Sequence, residues 1–309
     1  MNYYRLFGMT LASEIEFANL LISAPTTDPD YILKLGNIDY SNLAAPTIGI
    51  YTHATGSGLY HKIPDIVSFH CNNRLITVEK SNNSDSQDIK AFLLDTIFTY
   101  LLNQNGYLVL RGSAIKIGTS ALLIASSSSN GTSALAATLH EEFGYSIISD
   151  GLLVIKSSPE AKNIQLIPSN TPLMLWQDSC KHLALSYEQQ LPVRLNLLKY
   201  EFPQALTIKE TLPIKNLIHL ATHNATTIDF QTLTTTDKID ELLELTHYPQ
   251  LMEASNNTRN SFKLAVQLAN NCNILKITRP TKYNYQQFAH EVHVKLLENS
   301  LITIGKNNE

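Results

Sequence analysis

The segment LLIASSSSNGTSALAATL, residues 122–139, decides the fold of this chain. An apolar stretch typical of a buried strand leads into a loop of small polar residues, and the loop leads into a segment with apolar residues at helical spacing. This is the layout of a phosphate-binding P-loop, in which backbone N–H groups converge on an anion and the helix dipole adds to their attraction. The segment therefore predicts an anion-binding nest between a strand and a helix.

The loop departs from the P-loop consensus at its charged position. The pattern G-x-x-x-x-G-K-[ST] would place glycines at 126 and 131, lysine at 132 and a hydroxyl at 133. This chain carries Ser126, Gly131, Thr132 and Ser133 at those positions. Two interpretations stay open: a remnant nest for nucleotide, phosphate or a carboxylate, or a strand-helix connection that persists because it packs. The candidate binding residues are Ser126, Ser128, Ser129, Asn130, Gly131, Thr132 and Ser133.

The composition is that of an ordinary globular protein, with 309 residues of which 44% are hydrophobic and 16% charged. The formal net charge of −4 gives no electrostatic case for a nucleic-acid partner or an anionic membrane. No signal-peptide pattern is present, and no stretch approaches the roughly 18 apolar residues that a membrane helix needs. Three cysteines match neither a disulfide framework nor a zinc spacing. We therefore predict a reduced, cytoplasmic protein without membrane insertion.

The chain also predicts two units. Short β-forming segments separated by Gly, Pro and Asn turns over residues 28–80 indicate an antiparallel sheet, and the polar residues 81–87 mark a candidate boundary. Apolar residues at helical spacing over 88–103 then lead into strands and helices in alternation. We predict a smaller antiparallel β-rich module at 1–87 and an α/β domain at 88–309.

Several segments resemble the HPr kinase/phosphorylase-like family. YRLFGMTLASEI at 4–15 is similar to the opening of its standalone members, which lack the regulatory domain of the HPr enzyme. Residues 108–155 follow the family order of strand, His-Gly or His-Ala, strand, P-loop, helix, strand and Asp-Asp, and 171–185 and 210–221 also look like family segments. The resemblance implies an α/β fold: a domain with a P-loop of the phosphoenolpyruvate carboxykinase type and a mixed sheet flanked by helices.

The resemblance also implies functional residues, and this chain departs from the family at three of them. The lysine that contacts the β- and γ-phosphates is Thr132, the active-site histidine is Arg111, and the second member of the acidic pair is Gly151. Asp150, the family's base candidate, and Ser133, the hydroxyl that would hold Mg²⁺, are present. Because phosphoryl transfer depends on positioning and charge neutralisation, three losses in one pocket point to abandoned kinase chemistry.

The roles of the two charged candidates stay open. Arg111 could supply the missing phosphate contact or pair with Asp150, and we expect the ion pair. Asp150 could accept a hydroxyl proton from a substrate serine or threonine, or it could serve in helix capping or arginine pairing. Ser133 and Asp150 together are the candidate Mg²⁺ site. The histidines lack metal-type clustering. Arg259 and Arg279 could contact a phosphate or a partner on the C-terminal side, but nothing in the sequence distinguishes them from surface arginines.

Three functions remain in view. The leading hypothesis is a degenerate relative of the HPr-type serine kinases, a pseudokinase that binds a small protein or peptide and for which the sequence assigns no definite cofactor. Standalone relatives phosphorylate proteins or peptides, including lasso peptides, so peptide natural-product or cell-envelope biosynthesis is the implied setting. The second is an active atypical serine kinase that uses ATP and Mg²⁺, in which Arg111 supplies the positive charge lost with the P-loop lysine. The third is an unrelated enzyme that holds a small acid in the same pocket. Association into a homo-oligomer stays open.

Overall fold

A computed structural model of the chain has a mixed α/β architecture with two large sheets. The described residues are 1–40, 47–49, 51–55, 58–82, 84–128, 130–158, 163–203 and 208–298. Within these ranges no helix combines the length and the apolar character needed to span a bilayer. The coarse fold class expected from the sequence is therefore observed.

Eight strands form the N-terminal sheet: β1 (Asn2–Leu6), β2 (Met9–Ser13), β3 (Tyr31–Leu35), β4 (Thr47–Gly49), β5 (Thr52–Thr55), β6 (Gly58–Ile63), β7 (Val67–Asn72) and β8 (Leu75–Lys80). Their spatial order is β1-β2-β3-β8-β7-β6-β5-β4. The expectation of an antiparallel module is wrong at β3, which is parallel to both β2 and β8. Parallel neighbours need a crossover, and the long connection over 14–30 allows β3 to enter the sheet in the same direction as β2.

A helical segment follows, made of α1 (Ser86–Phe92), a π-helical turn (Leu93–Ile97) and α2 (Phe98–Gln104). It begins at Asp85, whose carboxylate accepts a 2.8 Å hydrogen bond from the backbone N–H of Asp88, an N-cap contact. Its apolar face packs in one hydrophobic cluster with the N-terminal sheet, and Leu152 of the second sheet belongs to the same cluster. Apolar packing therefore continues across the predicted domain boundary at residue 87. The boundary itself stays a prediction.

Nine further strands follow along the chain: β9 (Leu108–Ile117), β10 (Ser120–Ala125), β11 (Ser146–Ser157), β12 (Ile164–Ile167), β13 (Leu173–Trp176), β14 (Lys199–Phe202), β15 (Leu212–His223), β16 (Asp229–Thr232) and β17 (Asn273–Pro280). β13 and β14 pair only with each other in this set, and the other seven form the second sheet. β10 is antiparallel to β9 and parallel to β15, which is parallel to β17. The loop after β10 thus lies at the carboxyl ends of parallel strands, where open α/β sheets bind ligands.

Helices cover both faces of the second sheet. The helices in this part of the chain are α3 (Thr132–Phe143), α4 (Gln177–His182), α5 (Thr235–Glu244), α6 (Pro249–Ala254), α7 (Thr258–Asn271) and α8 (Tyr285–Glu298). Of these, α6 packs instead in the cluster of the N-terminal sheet through Leu251. Alternation along β10 sends Leu122 and Ile124 into a cluster with α3 and α8, whereas Leu123 lies in a cluster with α5 and α7. A strand buried on both faces explains why the sequence of β10 is continuously apolar.

Candidate functional site

The loop between β10 and α3 is shaped by its own side chains. The hydroxyl of buried Ser126 donates to the carbonyl of Ser128, and the hydroxyl of Ser128 donates to Asn130 Oδ1 over 2.9 Å. Asn130 Nδ2 donates to the carbonyl of Leu220 on β15 over 3.1 Å. Two of the predicted binding residues, Ser126 and Asn130, therefore hold the loop in place with their side chains.

Gly131 forms the corner between the loop and α3. Its backbone has φ +90°, and a Cβ at this position would lie 3.0 Å from Arg279 Nη2 and 3.3 Å from the Tyr283 hydroxyl. Both the left-handed conformation and the close approach favour glycine. No side chain caps the helix at this end, so N–H groups of its first turn are available to a ligand.

The loop opens onto a cavity of about 280 Å³. Of the predicted loop residues, four line this cavity: Ser128, Gly131, Thr132 and Ser133. Ser129 lies outside the described residues. Both charged candidates, Arg111 and Asp150, also line it, together with an aromatic wall of Trp176, Tyr283 and Tyr285. The structure therefore brings most of the predicted site residues together.

Asp150 lies on β11 with 2% of its surface exposed. Its Oδ1 accepts hydrogen bonds from the hydroxyls of Ser113 at 2.6 Å and Ser133 at 2.8 Å, and its Oδ2 accepts one from the backbone N–H of Met174 at 2.9 Å. Burial raises the pKa of Asp150, while the charge of Lys199 and the three hydrogen bonds oppose that rise. Asp150 and Ser133, the predicted Mg²⁺ pair, are thus in direct contact.

Ser133 and Asp150 could hold Mg²⁺ only if a bound phosphate supplied further oxygen ligands. No group of three or more His, Cys, Asp or Glu side chains suited to a metal occurs in the described part of the chain. Mg²⁺ in phosphate-binding sites typically takes one or two protein carboxylates and completes its shell with phosphate oxygens and water. One carboxylate and one hydroxyl match that pattern, whereas they do not form a protein-only metal site.

The expected ion pair between Arg111 and Asp150 does not form. No salt bridge within 4.0 Å joins these side chains in the described structure. The register of β9 against β11 explains this, because Ser113 lies directly opposite Asp150 whereas Arg111 lies opposite Leu152. Cross-strand partners are the nearest side-chain neighbours in an antiparallel pair, so Ser113 takes the contact expected of the arginine.

The second acidic position cannot easily hold an aspartate in this backbone. Gly151 has φ +87°, and a Cβ there would lie 3.2 Å from Met174 Cε. An L-residue in this conformation is strained whatever the chemistry of its side chain. The loss of the second carboxylate thus goes with a local backbone geometry that suits glycine.

Lys199 is a cation of the cavity that sequence reasoning missed. It lies on β14 opposite Trp176, and its Nζ lies 5.8 Å from the centre of the indole ring. Burial lowers the pKa of Lys199, and the nearby charge of Asp150 opposes that shift. Its short strand carries no motif and lies far from the loop in sequence, so no local signal indicates its position.

Arg279 is buried, contrary to the expectation of a surface arginine, with 6% of its surface exposed. Its Nη2 donates to the carbonyl of Asn130 over 2.5 Å, and its Nη1 donates to the carbonyl of Pro280 over 2.8 Å. The guanidinium lies 3.9 Å from the centre of the Tyr283 ring. This arginine therefore joins the end of β17 to the loop and adds positive charge beside Gly131.

Asp95, in the π-helical turn, is a second carboxylate of the cavity that the sequence did not indicate. It accepts a hydrogen bond of 3.1 Å from His247 Nε2 and one of 2.6 Å from the Tyr248 hydroxyl. Partial burial acts to raise the pKa of Asp95, but these hydrogen bonds and the charges of His247 and Arg111 lower it to about 2. A π-helical turn is frequent at functional sites, but it is visible only in the structure.

The cavity favours an anion although its formal charges balance. Its cations are Arg111, Lys199 and Arg279, and its carboxylates are Asp95, Asp150 and Asp178. Asp95 and Asp150 already accept hydrogen bonds from protein groups, whereas the carboxylate of Asp178 is exposed to solvent and accepts none among the described residues. Arg111 and Lys199, in contrast, have no side-chain hydrogen bond or ion pair with any described residue. The unsatisfied donors of the cavity are therefore cationic, and they share it with the first turn of α3.

No protein-family model matches this sequence, and no curated protein matches it. Among solved structures, the chain is similar to the HPr(Ser) kinase/phosphatase from Coxiella burnetii, with 12% sequence identity and a TM-score of 0.30. The match covers 62% of this chain and 98% of that one. A similarity of this size does not establish a common function, so the function must be sought in the cavity itself.

Proposed function

We propose that this protein is a degenerate HPr-kinase-like protein that binds the phosphate groups of a nucleotide with Mg²⁺ in the cavity in front of α3. The observation that carries the proposal is the pair of unpaired cations, Arg111 and Lys199, which line the same cavity as the uncapped start of α3. A guanidinium suits phosphate geometry, and an ammonium acts as a point charge. Together they would supply the charge that Thr132 does not.

We further propose that the bound phosphate is not transferred. A general base must come within hydrogen-bond reach of the substrate proton. Asp150 is 2% exposed and already accepts three hydrogen bonds, two of them from the hydroxyls of Ser113 and Ser133. This favours a structural role for the carboxylate, as an organiser of the first turn of α3. The nucleotide would then serve as the signal or the scaffold for a small protein or peptide partner.

One observation favours the second candidate, an active atypical serine kinase. Burial raises the pKa of Asp150, and a raised pKa makes a carboxylate a stronger base. Ser133 and Asp150 would hold Mg²⁺, which in such a reaction neutralises charge on the phosphates. The residues of this chain would bind and orient the nucleotide, and Asp150 would take the proton of the acceptor hydroxyl.

Calorimetric titration with Mg-ATP tests the binding proposal. Wild-type protein should bind with a sub-millimolar Kd. Arg111→Ala and Lys199→Ala should each weaken binding by roughly ten- to a hundredfold, the range expected for a charged hydrogen bond. Arg259→Ala and Lys263→Ala remove exposed cations elsewhere and serve as matched controls with unchanged Kd.

The outcomes separate the candidates. Absence of binding by wild-type protein at millimolar Mg-ATP contradicts the proposal. Incubation with γ-labelled ATP, a seryl peptide library and the wild-type protein should give no labelled peptide. Labelling that disappears in Asp150→Asn would instead establish the kinase.

A further inference from the structure

A second cavity, of about 340 Å³, adjoins the first. The two share part of their lining, including Arg111, Asp150 and Lys199. Much of the remaining lining is apolar or aromatic and comes from Phe7, Phe92, Leu94, Leu152, Pro172, Val193, Leu197 and Tyr248. The cavity has the size and the lining typical of a small-ligand site.

The charged groups deep in this second cavity neutralise each other. Lys90 and Glu201 form an ion pair of 2.7 Å with 1% and 2% of their side chains exposed. The ammonium also donates to the carbonyl of Ala18 over 2.8 Å, and Glu201 accepts from Asn19 Nδ2 over 3.1 Å. A buried pair with these additional hydrogen bonds is satisfied and offers little to a ligand.

The unsatisfied charge lies where the two cavities join. Asp95 lines both cavities, but its oxygens accept from His247 and Tyr248. Arg111 and Lys199 also line both and lack a hydrogen-bond or ion-pair partner among the described residues. An apolar chamber that shares with its neighbour two cations without hydrogen-bond or ion-pair partners among the described residues complements a molecule that is apolar at one end and anionic at the other.

We propose that the second cavity binds the apolar group of a small phosphate monoester, aromatic or branched aliphatic, whose phosphate lies between Arg111 and Lys199. The proposal shares with the proposed function only the anion-binding role of these two cations, and it requires no nucleotide. Burial of the apolar group supplies affinity roughly in proportion to the area removed from water. The phosphate fixes the orientation, because the other cations of this cavity, Lys90 and Arg194, are already paired with Glu201 and Asp88.

Calorimetry with two synthetic probes, methyl phosphate and 1-naphthyl phosphate, tests this on the full chain without nucleotide. Wild-type protein should bind the naphthyl ester at least tenfold more tightly than the methyl ester. Leu197→Trp places a larger side chain in the chamber and should reduce the preference to less than threefold while the Kd for methyl phosphate stays unchanged. Leu195→Trp is the matched control, since Leu195 is 62% exposed on the same segment, and it should keep the full preference.

A second filling variant, Val193→Trp, guards against misfolding of the first, and thermal unfolding of each variant checks its fold. Equal affinity for both probes in the wild type overturns the inference, as does a preference that persists in both folded filling variants. Failure of 1-naphthyl phosphate to bind at all overturns it too. If 1-naphthyl phosphate shows the predicted preference but Mg-ATP does not bind, the proposed nucleotide function fails and this inference stands. If Mg-ATP binds but the naphthyl ester is not preferred, the inference fails and the nucleotide function stands.

Discussion

Ser113, and not Arg111, is the cross-strand partner of Asp150: its hydroxyl donates a 2.6 Å hydrogen bond to the buried carboxylate. This leaves Arg111 without an ion pair among the described residues while it lines the cavity. The register of two strands thus separates the two charged groups that the sequence suggested would neutralise each other. The cavity therefore retains a guanidinium that forms no ion pair within 4.0 Å among the described residues, although its charge still helps to lower the pKa of Asp95.

Removal of the Ser113 hydroxyl should destabilise the protein. Ser113→Ala deletes one of three hydrogen bonds to a buried carboxylate, and the expected loss is about 1.5–3 kcal/mol in the free energy of unfolding, the range for bonds to charged groups. Urea denaturation measures it. Ser120→Ala, which removes a hydroxyl that donates to a neutral carbonyl at 3.2 Å, should cost less. Equal losses in the two variants would mean that the Asp150 contact has no special strength.

Stability at acidic pH should depend on Asp95. Its pKa is lowered from the ordinary value of 3.8 to about 2, so the unfolded chain binds more protons than the folded chain between these values. The resulting stabilisation is present above the unfolded pKa and is lost as the pH falls through the folded one. Since 39% of the side chain is exposed, we expect only on the order of 1 kcal/mol from this source.

Unfolding of wild-type protein and Asp95→Asn in urea between pH 2 and pH 7 measures this contribution. The difference in stability should be largest above about pH 4 and should shrink as the pH approaches 2. A difference that stays constant over the whole range would show that Asp95 contributes through packing or neutral hydrogen bonding alone.

A lysine in the loop should strengthen nucleotide binding. Thr132 begins α3 and lines the cavity, so Thr132→Lys adds a cation at the consensus P-loop position. We expect the Kd for Mg-ATP to fall by roughly tenfold, equivalent to about 1.4 kcal/mol. Thr132→Met is the control, because methionine is similar in length to lysine but carries no charge, and it should not tighten the binding of Mg-ATP. If the lysine variant binds no better than the methionine variant, the position does not face the phosphates.

Replacing both members of the buried ion pair of Lys90 and Glu201 with apolar residues should change the stability of the fold little, whereas replacing one member alone should lower it strongly. Lys90→Met leaves a buried carboxylate without its counter-charge and should cost about 3–5 kcal/mol of stability. Adding Glu201→Leu should recover most of that loss, because two apolar side chains then fill the space. Chemical denaturation of the single and double variants tests this, and a double variant as unstable as the single one would argue against it.

The sequence predicted the loop with its flanking strand and helix, because these depend on local patterns. The pairing of Ser133 with Asp150 followed from the family resemblance, which implied that both belong to one Mg²⁺ site. It did not predict Lys199 or Asp95, whose places in the cavity are set by the pairing of β13 with β14 and by a π-helical turn. It misplaced Arg279, because the solvent exposure of an arginine depends on what packs over it. Strand register and the parallel course of β3 are likewise decided by contacts between distant segments.

The origin of Lys199 has a consequence for how such sites are compared between proteins. Its charge comes from the separate β13–β14 ribbon, and neither it nor Arg111 belongs to the loop whose pattern defines the motif. The sequence of the loop therefore does not by itself determine the electrostatic potential in front of it. Substitutions in the loop can leave these two cations in place, and substitutions at the two cations can leave the loop unchanged. A chain whose loop lacks the consensus lysine can still offer cations to a ligand from other strands, and an alignment of the β13–β14 ribbon would reveal them.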